Sequence, residues 1–393
     1  MADWSKMPDD PLKLIAEKLH SVEDYVRFGG VCKSWYSIFE DKECCCPSSK
    51  SPWLMLAEKE NSEIRGFYSP LSGKVYEIRL PEVVGKWCWG SPYGWLVTIG
   101  TDLDMCLLNP LTRVQILLPS LRACPNLNTL IDSSTQGSRS KDIFIYKAVL
   151  SSAPSSPDCA VMIIYSDYGR LAFTKPGHQT WTLLESESGP VDDIIYFNGS
   201  FLAVNLSWEV WICDISGSQL KTIRFAAAPA LQDVDEIEYE AKYLVESGGE
   251  IYMVTRNLYD TARRDIPYMR TWTFSVLKLD MCNKRWEEVE NLDHCSFFLG
   301  NNHSFSTWAS DYPEFRKNSI YFTDDYCGFL NIPRNFDMGI YNFQNTQIEH
   351  YPVGHDALSM FSAPLWIRPS FCWTQHFFFI SSNVCTTCTS LNK

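Results

Sequence analysis

The chain of 393 residues carries 34 Lys and Arg against 47 Asp and Glu, a formal net charge of −13. No basic run exceeds two residues, so a phosphate backbone would be repelled and nucleic acid is set aside as a partner. The length exceeds one ordinary core of about 150 residues unless the fold is a large barrel or propeller, and 14 Trp, 22 Phe and 19 Tyr favour strands.

The opening "MADWSKMPDD" is polar and acidic and supplies no apolar leader. No window reaches the roughly 18 apolar residues that cross a bilayer, so no membrane is expected. A first helix follows. Asp9 or Asp10 caps it, Pro11 stands at its first position, and Leu12, Ile15, Ala16 and Leu19 form one apolar face. Ser21 caps a second helix, in which Phe28, Val31, Cys32, Trp35, Ile38 and Phe39 keep the i, i+3, i+4, i+7 spacing. Gly29 and Gly30 interrupt that stripe, and each costs about 1 kcal/mol against alanine in a helix interior. Two or three short helices in about forty residues bury too little surface to be stable alone. Their apolar face is expected to be covered by another surface, as in a docking module.

The segment "WSKMPDDPLKLIAEKLHSVEDYVRFGGVCKSWYSIFED" resembles an F-box, the unit that docks a protein on a Skp-type adaptor. Met7-Pro8, Asp10, Leu12, Ile15, Leu19, Asp24 and Val31-Cys32-Lys33-Ser34-Trp35 occupy the pattern of Leu-Pro, an acidic residue, Leu, Ile, Leu, Asp and Val-Cys-Lys-x-Trp. Pro11 departs from that pattern, where Leu is common, but suits a helix start. The resemblance implies that Leu12, Ile15, Leu19, Val31, Cys32 and Trp35 bury against adaptor helices, with Pro8 setting the first turn.

Character changes near residue 45. "CCCPSSKSP" reads as a linker, giving an F-box over 1–43, a linker over 44–52, a β domain over 53–371 and a divergent tail over 372–393. "SPLSGKVYEIRLP" and "NPLTRVQILLP" share Pro-Leu-Ser/Thr, an alternating strand and Leu-Pro, with Pro70 and Pro110 40 residues apart. "NGSFLAV", "GGEIYMV" and "KNSIYFT" each join a turn to an alternating strand, and "QTWTLLE" and "KRWEEVE" place Trp181 and Trp286 before one. A unit of about 40–50 residues built of short strands predicts an all-β propeller of six or seven blades. This part resembles plant F-box proteins with a kelch-like C-terminal domain, through "HCSFFLGNNHSFST", "NSIYFTDD", "DMGIYNFQNTQIEHYPV" and "APLWIRPS".

Catalytic patterns are sparse. Gly73-Lys74 lacks the first glycine and the hydroxyl of a phosphate loop and reads as a hairpin turn. Ser166-Asp167-Tyr168-Gly169 reads as an Asx-type turn, and Asp192-Asp193 as part of a solvated acidic run. Cys385 and Cys388 form half a zinc spacing with no second pair, Cys44 to Cys46 read as linker, and His294 and His303 read as structural. Fifteen cysteines, an odd number without disulfide spacing, indicate reduced thiols in cytosol or nucleus. No cofactor or metal is expected.

The resemblance implies a non-catalytic substrate receptor of a cullin-type ubiquitin ligase, with a Skp-type adaptor, a cullin beyond it and a target protein as partners. Asp233, Asp235 and Glu236 lie in a segment of five carboxylates within eight residues and are candidates for target binding. An interaction protein without ligase assembly and a propeller enzyme stand as the alternatives.

Overall fold

The alternating runs form short strands, and these stack mostly in antiparallel fours. The structure, a computed structural model, describes residues 4–19, 24, 28, 31–40, 51–59, 62–125, 145–166, 168–184, 187–215, 220–229, 239–260, 269–325, 337–351 and 362–370. The described strands make six sheets, the six blades of a propeller, which decides between the six and seven expected.

Blade 1 holds Trp53–Met55, Ile64–Ser69 and Lys74–Arg79. Blade 2 holds Trp87–Gly90, Leu96–Ile99, Met105–Leu108 and Gln115–Leu117. Blade 3 holds Ile145–Leu150, Val161–Tyr165, Arg170–Thr174 and Thr182–Leu184. Blade 4 holds Val191–Phe197, Ser200–Asn205, Val210–Asp214 and Lys221–Ala226. Blade 5 holds Tyr239–Ser247, Glu250–Asp260, Met269–Asp280 and Arg285–Glu288. Blade 6 holds Cys295–Leu299, Phe305–Trp308, Ser319–Phe322, Gly339–Asn342 and Gln347–His350.

The ring closes through "APLWIRPS". Its strand Leu365–Ile367 completes blade 1, pairing Trp53 with Ile367, Leu54 with Trp366 and Met55 with Leu365. Both ends of the β domain thus share one blade, and no open edge separates the last blade from the first. Inner strands such as "VMIIY" and "CSFFL" are buried at every residue, because a neighbouring blade covers each face. Met162 and Phe173 of blade 3 pack with Ile194 and Phe201 of blade 4, and Ile195 and Leu202 pack with Leu244 and Met253 of blade 5.

The repeated motifs fall at matching places. Asn198-Gly199 and Gly248-Gly249 all have positive φ, the geometry of tight hairpins between the first two strands of blades 4 and 5. The turns at Pro70 and Pro110 precede the outermost strands of blades 1 and 2, and Gly73, at φ 65°, forms the expected hairpin turn there. Trp181 and Trp286 serve the outer strands of blades 3 and 5. Their indole N–H groups donate to Pro119 O at 2.9 Å and Ala227 O at 3.1 Å, tying each blade to the chain leaving the one before.

The N-terminal unit contains helix α1 (Asp9–Glu17) and helix α2 (Lys33–Glu40). Pro8, not Asp9 or Asp10, is the N-cap, so Pro11 sits at the third position, where its missing N–H still costs no intrahelical bond. Asp9 and Asp10 occupy the first turn and favour its positive dipole end. The expected second stripe is broken: Val31 is a bend, Cys32 is not helical, and α2 starts only at Lys33. Ser21, Gly29 and Gly30, Cys44 to Cys46, Asp167, Cys385 and Cys388 lie outside the described residues.

Candidate functional site

Four side chains form the core of the helical unit: Leu12 and Ala16 of α1, Phe28, and Ile38 of α2. Met7, Ile15, Leu19 and Trp35 pack around them. Phe28 and Trp35 meet at 4.6 Å between ring centres, and the Trp35 indole N–H donates to Trp4 O at 3.1 Å. The residues named for adaptor binding therefore divide. Leu12 is fully covered within the unit, so burial against an adaptor, as the sequence suggested, is not open to it; it holds the two helices together. Ile15, Leu19, Cys32 and Trp35 are half-buried, Pro8 is exposed, and Val31 is 55% exposed. Sequence reasoning missed Leu14, which is 59% exposed. Its signal was an apolar residue standing off the stripe of α1.

The acidic candidates divide too. Asp233, Asp235 and Glu236 lie outside the described residues; Glu240, at the end of the same run, sits 2.8 Å from Lys242 Nζ. Asp192 and Asp193 are no solvated run. They begin the inner strand of blade 4, where Asp192 pairs with Lys242 at 2.8 Å and Asp193 with Lys147 of blade 3 at 3.0 Å. Asp193 also accepts the Leu244 N–H of blade 5 at 2.7 Å, so one carboxylate stitches three blades. Burial raises both carboxyls from their ordinary value, against the pull of the paired lysines. These are structural ion pairs rather than a catalytic dyad.

"HCSFFLGNNHSFST" builds a feature that periodicity did not predict. Cys295–Leu299 is a fifth strand in blade 6 and runs parallel to Ser319–Phe322, inside an otherwise antiparallel fold. The turn after it crosses the ring axis. His303 N–H donates to Gly90 O of blade 2 at 2.8 Å, and Lys147 of blade 3, opposite in a six-membered ring, lies 3.4 Å from Ser304 Oγ. Gly300 has φ 134°, and a Cβ there would collide with the Thr323 hydroxyl, so glycine alone fits. On the rim between blades 5 and 6, Tyr252, Phe297, Cys295 and Trp308 line a cavity of about 430 Å³ beside Glu250 and Asp293. Among the described residues no group of three or more His, Cys, Asp or Glu could hold a metal ion.

Comparison with known proteins places this architecture. Residues 67–342, from the third strand of the closed first blade to the sixth, match the KIB1-4 beta-propeller family, and residues 4–46 match the F-box domain. The chain belongs to the KIB1-4 beta-propeller family. It is similar to the F-box protein SKIP23 of Arabidopsis thaliana, 26% identical over 393 residues, 89% of this chain and 91% of the relative. It is also similar to an F-box/kelch-repeat protein of Arabidopsis thaliana, 28% identical over 380 residues, 93% of this chain and 94% of that one. The strands Trp53–Met55 and Leu365–Ile367, which close this KIB1-4 propeller, lie outside the matched span.

The axial turn of this KIB1-4 propeller gives it a pH response. Burial, with the nearby positive charges of Lys147 and Arg368 adding to it, lowers the His303 imidazole to about 3. The folded ring is neutral, whereas an unfolded one takes a proton near pH 6.5. A depressed imidazole contributes fully above pH 6.5, and stability falls as pH drops from there towards 3. Urea unfolding is expected to show about 2 kcal/mol less stability at pH 5 than at pH 7.5 from this group. His303→Gln should flatten the difference. Asp192 and Asp193 titrate in both proteins, so subtraction isolates the imidazole, and an equal slope in the variant excludes it as the cause.

Proposed function

We propose that this chain is the substrate-recognition subunit of a Skp–cullin–F-box ubiquitin ligase, acting in cytosol or nucleus. The observation that carries the reading is an F-box joined, in one chain, to a KIB1-4 propeller. The helical unit docks on a Skp-type adaptor and through it on a cullin, and the propeller holds a target protein. It supplies no catalytic group. Holding a target lysine beside an activated ubiquitin thioester raises its effective concentration, which is the contribution of proximity.

The docking half is tested at Val31, apolar, exposed and outside α1 and α2. Val31→Asp places a charge where adaptor contact would desolvate it, and adaptor capture is expected to fall about tenfold with helix content unchanged. Unchanged capture would remove Val31 from the interface. Co-purification of adaptor and cullin, with and without proteasome inhibition, tests the ligase. Adaptor without cullin would leave an interaction protein that assembles no ligase.

A further inference from the structure

We infer that the cavity between blades 5 and 6 takes an arginine side chain of the target protein. The inference rests on the receptor reading and names the chemistry of what is received. The cavity holds about 430 Å³, room for a guanidinium, its methylene stem and the flanking backbone. Its wall is aromatic. Trp308 is 44% exposed at the mouth, and its ring edges Gly248, where an added Cβ would stand 3.3 Å away. Tyr252 lies deeper, its ring edge-on to Phe297 at 5.3 Å. A planar cation stacks on such rings, indole best, and arginine does so more often than lysine.

The charge at the rim is negative. Glu250 and Asp293 line the cavity, and both act electrostatically on the Tyr252 hydroxyl, as Glu246 does on the neighbouring Cys295 thiol. Among the described residues Lys278 Nζ lies 3.4 Å from Glu250 and Arg368 acts electrostatically on Glu246, so three carboxylates face two cations. Glu246 accepts the Gly249 N–H at 2.8 Å, which fixes it at the hairpin beside the mouth. An anionic or wholly apolar ligand would meet that field unfavourably, whereas a guanidinium finds a stacking surface and carboxylate acceptors within one site. The floor, Cys295 and Phe297, is buried and apolar and suits the methylene stem.

The test uses the full chain in complex with its adaptor and two capped peptides, acetyl-Gly-Arg-Gly-amide and the same peptide with citrulline for arginine. Saturation-transfer NMR reads binding even at millimolar affinity. The arginine peptide is expected to bind about tenfold tighter than the citrulline peptide in 50 mM salt, with the gap narrowing in 500 mM salt. Trp308→Ala and Asp293→Asn should each weaken the arginine peptide several-fold while adaptor binding holds. Equal binding of the two peptides, or binding untouched by both variants, overturns the assignment. Silence of both peptides overturns it as well, whether the cavity is idle or held by another part of the chain. Because the adaptor is present in the sample, an intact complex with a silent cavity removes the arginine site alone, whereas failure of the complex to form removes the receptor reading.

Discussion

Replacing Arg256 with Met is expected to cost the propeller about 3–5 kcal/mol, because it removes the cation from a buried clasp between two blades. Arg256 stands on the second strand of blade 5 and is 2% exposed. Its guanidinium donates to Thr271 Oγ1 at 2.7 Å within its own blade. Across the blade boundary it donates to Thr323 O at 3.0 Å, Asp325 Oδ1 at 3.1 Å and Asp337 Oδ2 at 3.0 Å, and it lies over the Phe322 ring at 4.8 Å. Thr271 closes the circuit, giving its N–H and hydroxyl to the same Asp337 oxygen at 2.7 and 2.6 Å. Burial alone would raise the Asp337 carboxyl, but Arg256 and Thr271 outweigh it and hold the group below its ordinary value. A depressed carboxyl contributes above pH 4 and loses its contribution as pH falls through the folded value, so the clasp is intact at neutral pH.

Met fills the space of the arginine stem but leaves Asp337 with only the longer contact to Arg270 at 3.4 Å, and that poorly compensated buried charge dominates the loss. The double variant Arg256→Met with Asp337→Asn should therefore recover part of the stability, a coupling that two independent sites would not show. Urea unfolding followed by tryptophan fluorescence gives both numbers. A loss below about 1 kcal/mol in the single variant would mean that the clasp adds no net stability and that packing alone joins blades 5 and 6.

What the sequence disclosed was local. The stripe of Leu12, Ile15, Ala16 and Leu19 marks α1 because a helix repeats every 3.6 residues, and Asn198-Gly199 marks a hairpin because both residues tolerate positive φ. Features that depend on distant residues stayed hidden. Nothing near Trp53 announces that Leu365–Ile367 will pair with it, and nothing in "HCSFFLG" says that this strand runs parallel to its neighbour. Asp192-Asp193 reads as surface charge until Lys147 and Lys242 arrive from other blades. The break in the second stripe at Val31 and Cys32 was not legible, because spacing alone carried the stripe from Phe28 across to Trp35. In the helical unit the spacing found an apolar face and could not tell which of its members the unit consumes itself.

That division sets the second large effect. Leu12→Ala is expected to abolish adaptor capture at ordinary concentrations although Leu12 is buried wholly within its own unit. Leu12 shares a core of four buried side chains with Ala16, Phe28 and Ile38, and its deletion to alanine costs about 2–5 kcal/mol. A unit of about forty residues with a four-side-chain core has little stability to lose, so the variant unit is mostly unfolded in isolation. Far-UV circular dichroism of the free chain should lose helical signal, and adaptor affinity should drop by the unfolded fraction. Binding to the folded form still draws the equilibrium back, so excess adaptor rescues Leu12→Ala by mass action and restores the helical signal. Val31→Asp behaves in the opposite way: its helices are intact from the start, and its weakened affinity comes with no refolding as adaptor is added. Titrating adaptor against each variant while following helicity separates the two roles. If Leu12→Ala keeps both its helices and its affinity within about twofold of the parent, the unit does not depend on that core.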